Sequence, residues 1–238
     1  MVHFHGHDGT AVAKIVDHQL RQQVFESGKN VVLLVPQGPV NAADSSGGKL
    51  ELADGFRQFV AEVVAVLRSP AARAAVSPAV LGKRITAGGI ALSAHSGGYR
   101  VVATILDRGG IGVREVFLFD ALYGEVPKFR HWLRQATGKR LLSWFNKGAP
   151  RQLNEILMER LLEDGLALQV ERVEGQLSAR ALATGPAVFV RTDVPHSQIP
   201  WRHNNLRDAL ATSAFRWAKG ASRPNLGKGR GPRALTLR

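Results

Sequence analysis

The pentapeptide Ala94-His95-Ser96-Gly97-Gly98 is the stretch of this chain best equipped for covalent chemistry. A serine hydroxyl is a poor nucleophile until a base removes its proton and hydrogen-bond donors stabilise the oxyanion that forms. Small residues two places either side of Ser96 permit a cramped strand-to-helix turn, which would project the hydroxyl and aim a helix N-terminus at a reacting carbonyl. Ala94 and Gly98 meet that demand. A second candidate group is His3, His5, His7 and Asp8, since several imidazoles and a carboxylate in a short span are what zinc prefers. Alternation along a strand counts against it, because all three histidines would have to converge as the chain enters a turn. We therefore expect no metal and no other cofactor.

The elements that must carry these residues alternate between apolar runs and helical periods, the pattern of a mostly parallel sheet with helices on both faces. Val2-His3-Phe4 reads as the end of a strand and residues 11–26 as a helix. Residues 30–35 read as a fully buried strand, 55–67 as an amphipathic helix and 85–94 as a strand interrupted by Gly88-Gly89. The turn at Ser96 then opens a helix over 97–106. Strands follow at 113–119, ending at Asp120, and at 140–145, ending at Asn146-Lys147. Helices are expected at 127–135 and 151–163, a last clear strand at 187–191 leading toward His196, and a closing helix over 205–218. Residues 166–174 are ambiguous. Residues 123–151, which carry Trp132 and Trp144, suggest a small lid. The fold class is thus α/β, a three-layer sandwich around about six strands, in a single domain over residues 1–218.

Composition narrows the function classes. A chain of 238 residues, 45% hydrophobic, can bury one substantial core. No apolar run reaches the roughly 18 residues needed to span a bilayer, and the first residues lack a signal-peptide pattern. Together with the absence of cysteine, this gives a cytoplasmic expectation. The net charge of +13 is concentrated at one end: seven of the 32 Lys and Arg lie in 216–238, with no acid among them. Residues 219–238 read as a basic, disordered tail, and no specific nucleic-acid partner is expected.

The motif at Ser96 resembles the Gly-x-Ser-x-Gly turn of the α/β-hydrolase superfamily, with Ala94 in place of the first glycine, and the resemblance covers residues 2–215. It implies a serine hydrolase with a minimal sheet, beginning at what is usually the family's third strand, and without a large cap. The family places an acid and then a histidine after the nucleophile, each beyond a strand. Asp120 and His196 occupy those places, with Asp193 as the alternative acid, because Asn146 stands where most members carry theirs. His196 would be the general base and Asp120 would orient it. The His5-Gly6 pair fits the family's His-Gly signature, which implies an oxyanion hole from the backbone N–H groups of His7 and Gly97. Gln37, Tyr123 and Trp201 would line the pocket for a small-molecule ester. Amide hydrolysis or acyl transfer would use the same triad, a metal-dependent hydrolase would use His3, His5, His7 and Asp8, and a silent binding scaffold would use none of it.

Overall fold

The computed structural model describes residues 1–7, 9–39, 45–76, 85–171 and 178–226. Its strands are β1 (Val2–Phe4), β2 (Ala91–His95), β3 (Glu115–Phe119), β4 (Arg140–Phe145), β5 (Leu168–Glu171) and β6 (Ala187–Arg191). They form one six-stranded sheet in the order β1-β2-β3-β4-β6-β5. Every pairing is parallel. The helices are α1 (Ala11–Asp17), α2 (Leu20–Glu26), α3 (Gly55–Arg68), α4 (Pro70–Ala75), α5 (Tyr99–Arg108), α6 (Val126–Arg134), α7 (Ala149–Glu163), α8 (Ala179–Ala183) and α9 (Asn205–Ala211). Among the described residues no helix is long and apolar enough to cross a membrane.

The strands are apolar almost throughout because both faces of the sheet are covered. Side chains alternate across it: Leu92, Val116, Leu118, Leu141, Phe145 and Phe189 join one core with residues of α3, α5, α6 and α7. Phe117, Phe119, Leu142, Trp144, Val188 and Val190 join the other with Leu20 of α2, Leu182 of α8 and Leu206 and Leu210 of α9. Each fully buried large side chain contributes about 1.5–3 kcal/mol. The same alternation puts three polar residues, His3, Ser93 and His95, on the α2/α9 face of β1 and β2, where all are buried. Arg140 and Glu115 also enter this layer. The Arg140 guanidinium meets Glu115 Oε1 at 3.3 Å and donates to the carbonyls of Leu182 and Ala209. With those partners the buried charge is compensated.

Several expected elements differ. Residues 30–35 are not a buried strand: Val2 and Leu34 form an isolated parallel bridge, His3 N donates to the Leu34 carbonyl, and Val32 is 47% exposed. The run lies along the outer side of β1, Leu34 packing on one core and Val31, Leu33 and Val35 on the other, but all only partly buried. The strand expected over 85–94 forms only from Ala91 and runs on to His95, residues 85–90 being described but not strand. The helix expected over 11–26 is two, broken where Gln19 takes a left-handed conformation with φ 50°. The closing helix ends at Ala211, and residues 213–217 instead pack against Lys29, whose Nζ donates to the carbonyls of Ser213 and Phe215. Residues 123–151 are not a lid: Trp132 and Trp144 are core side chains, 2% and 0% exposed. The ambiguous 166–174 stretch contains β5. Of the basic tail, residues 219–226 are described, and Arg223 sits 5.3 Å over the Trp217 ring.

Candidate functional site

In a parallel sheet the carboxyl ends of all strands share one edge, and ligands of open α/β sheets bind there. Register determines which residues meet at it. His95 pairs with Phe119, so Ser96 and Asp120 are the next residues on neighbouring strands, which lie about 4.8 Å apart. Phe119 pairs with Trp144 and Phe145 with Arg191, bringing Asn146 and the loop after β6 to the same edge.

Ser96 and Asp120 both have left-handed backbones, with φ of 55° and 47°. Non-glycine residues rarely adopt this conformation, and it turns each side chain away from its strand. At Ser96 the chain passes directly into a short 3-10 turn (Ser96–Gly98) and then α5. The first N–H groups of such a turn have no partner within it and remain available to an anion. The loop after β1 presses against this turn. A Cβ added at Gly6 would lie 2.6 Å from Ser96 Cβ and 3.0 Å from its Oγ, and one added at Gly98 would lie 2.6 Å from the Phe4 carbonyl oxygen. A side chain at either place would force the loop and the turn apart.

Asp120 is 3% exposed, and both its carboxylate oxygens are engaged. Oδ1 accepts from Asn146 N at 2.9 Å, and Oδ2 accepts from His196 Nδ1 at 2.6 Å. A carboxylate only accepts, so Nδ1 carries the ring hydrogen and Nε2 of the neutral imidazole presents a lone pair. Asn146 also fixes the loop that carries His196, because its Nδ2 donates to the Val194 carbonyl at 2.7 Å. The His196 side chain is 41% exposed. Asp193, the alternative acid, points to solvent. Among the described residues no hydrogen bond joins Ser96 to His196.

No protein-family model, curated protein or solved structure matches this chain.

The remaining sequence candidates divide. Tyr123 reaches the site, its ring edge-on to His196 at 6.2 Å, and burial followed by the nearby Asp120 charge pushes its hydroxyl pKa up to about 12. Gln37 instead accepts from Ala11 N at 2.7 Å and so secures the start of α1. Trp201 follows in a turn, and no ring contact joins it to His196 among the described residues. His7 is exposed, and its Nδ1 would meet a Cβ added at Gly97 at 3.0 Å. The metal grouping does not assemble: His3 is buried with Nδ1 2.8 Å from Ser93 Oγ, and His5 Nδ1 donates to the Gly6 carbonyl. Asp8 lies outside the described residues, among which no cluster of three metal-binding side chains occurs.

Sequence reasoning missed three residues. Ser45, between residues 30–35 and α3, places a buried hydroxyl against Gly97, without a hydrogen-bond partner. His18 packs its ring edge-on to His95 at 4.8 Å. Asn146 enters the sequence reading only as a residue without a carboxylate. Its place at the end of the strand beside Asp120 was the available signal, whereas nothing local marks Ser45 or His18. Burial holds His18 and His95 neutral, lowering their pKa values to about 4 and about 3. Beside Gly6 and Ser45 is a cavity of about 30 Å³, lined also by Phe4, Pro36 and Val101. A larger one of about 500 Å³, lined by Ile90, Arg114 and Glu115, opens at the opposite edge of the sheet, away from these groups.

Proposed function

We propose that this protein is a serine hydrolase of the α/β-hydrolase type that cleaves carboxylic esters. The observation that carries the reading is the 2.6 Å hydrogen bond from His196 Nδ1 to Asp120, one residue past the strand beside Ser96. It prepares an imidazole whose free nitrogen can only accept a proton, at the edge where a left-handed serine presents its hydroxyl.

The chemistry then follows. His196 Nε2 takes the Ser96 proton as Oγ attacks the ester carbonyl, and Asp120 stabilises the imidazolium that results. The carbonyl oxygen becomes an oxyanion and accepts from the backbone N–H groups of His7 and Gly97. As the tetrahedral intermediate collapses, the imidazolium gives its proton to the leaving alkoxide, and an acyl-Ser96 ester remains. Water, deprotonated by His196, releases the acid and restores the serine.

The test is hydrolysis of p-nitrophenyl esters of increasing acyl length by the wild type and by Ser96→Ala, with fluorophosphonate labelling of both. We expect activity and labelling to be lost in the variant, and the chain-length profile of the wild type to size the acyl pocket. Hydrolysis unchanged in Ser96→Ala would refute the assignment.

A further inference from the structure

The residue before the serine has a role that the pentapeptide alone does not require. His95 is 6% exposed, and its Nε2 lies 3.0 Å from the main-chain carbonyl oxygen of His196. A carbonyl only accepts, so Nε2 carries the hydrogen and His95 is the donor. The two rings lie nearly face to face, with centroids 4.6 Å apart at 33°. On its other side His95 meets the edge of His18, which stands at the break between α1 and α2, and beyond His18 lies His3, bonded to Ser93. The orientation of the His95 ring is therefore set from behind.

We propose that His95 is a positioning residue that fixes the loop bearing the base to the strand bearing the nucleophile. This rests on the reading of Ser96 and His196 given above. Asp120 sets the rotation of the His196 ring, but a hydrogen bond to a ring nitrogen does not by itself set where the backbone stands. Two clamps do: Asn146 of the segment after β4 on the Val194 carbonyl, and His95 of β2 on the His196 carbonyl. Because His95 is bonded in sequence to Ser96, any displacement of the turn carries the base with it. Neutrality belongs to the same role, since a cation at this distance would oppose formation of the His196 imidazolium. Burial keeps His95 neutral, its pKa lowered to about 3.

The experiment compares His95→Gln, His95→Asn and His95→Phe in the full chain. Glutamine places an amide N–H at about the reach of Nε2. Asparagine is too short, and phenylalanine keeps the ring while removing the donor. A misplacement near 1 Å costs about 100-fold. We therefore expect kcat for p-nitrophenyl acetate to fall about 10- to 100-fold in the Asn and Phe variants with little change in KM, and the Gln variant to return most of it. The downfield proton resonance of His196 Nδ1–H, identified by its loss in Asp120→Asn, should be sharp in wild type and His95→Gln and broadened or shifted in the other two. Wild-type kcat together with an unshifted resonance in His95→Phe, or a Gln variant as impaired as the Phe variant, would overturn the proposal. If the wild type neither hydrolyses esters nor accepts a fluorophosphonate, the hydrolase reading falls. The resonance then decides His95 alone: a change in His95→Phe supports the clamp and an unchanged signal refutes it.

Discussion

Gly6→Ala isolates one steric contact in the candidate site. Gly6 has a φ that any residue can adopt, so the substitution strains nothing locally, and its only effect comes from the added methyl. That methyl would lie 2.6 Å from Ser96 Cβ, 3.0 Å from Oγ and 3.3 Å from Gly97 N. Carbon atoms in contact rest about 3.5–4.0 Å apart, so β1 and the turn must separate by about 1 Å. A shift of that size at the reacting atom costs about 100-fold in rate, or about 2.7 kcal/mol at 1.36 kcal/mol per tenfold. Overpacking of this kind costs about 1–3 kcal/mol of stability, which leaves a domain of this size folded. The assay is kcat and KM for p-nitrophenyl acetate beside a urea unfolding curve. We expect kcat to fall about 100-fold in a protein that still unfolds cooperatively. A folded Gly6→Ala that retains half or more of wild-type kcat would show that the loop after β1 does not set the serine.

Two further predictions concern titration. In Asp120→Asn the amide can donate to His196 Nδ1, which places the ring hydrogen on Nε2 and leaves no base facing Ser96. We expect kcat at neutral pH to drop about 10⁴-fold, with an unchanged fold by circular dichroism, and a loss under tenfold would count against Asp120 as the orienting acid. The buried histidines predict loss of stability in acid. His18 and His95 have folded-state pKa values near 4 and 3, below the unfolded value of 6.5, so stability is full above pH 6.5 and falls as the unfolded chain takes up protons that the folded one refuses. By pH 5 each should have removed about 2 kcal/mol, read as a lower urea midpoint than at pH 7. The His18→Phe variant should show a smaller difference between the two pH values, and an equal difference would refute the assignment.

Legibility of the fold followed burial on two faces. The apolar runs at 140–145 and 187–191 coincide with β4 and β6, because a central parallel strand is covered on both sides and its pattern owes nothing to solvent. Residues 30–35 are as apolar, yet they run outside β1, and an apolar run does not say whether a second strand will close over it. The break at His18–Gln19 was also hidden, since periodicity over 11–26 continues across it, and the left-handed Gln19 answers to tertiary packing: Gln23 just beyond caps α9 by accepting from Leu206 N and Arg207 N. At the site, Ser96, Asp120 and His196 could be picked out because each follows a strand. The contacts of His18, Ser45 and Asn146 depend on which strands are neighbours, and order along the chain does not contain that.

The left-handed backbones at Ser96 and Asp120 have a bearing on how such a chain would change over generations. Each costs about 1–3 kcal/mol that glycine would not incur. Ser96→Gly and Asp120→Gly should therefore relieve backbone strain, although the second also gives up the hydrogen bonds that hold the His196 loop. At position 96 no such loss offsets the gain. On the hydrolase reading proposed above, the chemistry of the hydroxyl is what keeps serine rather than glycine in that conformation.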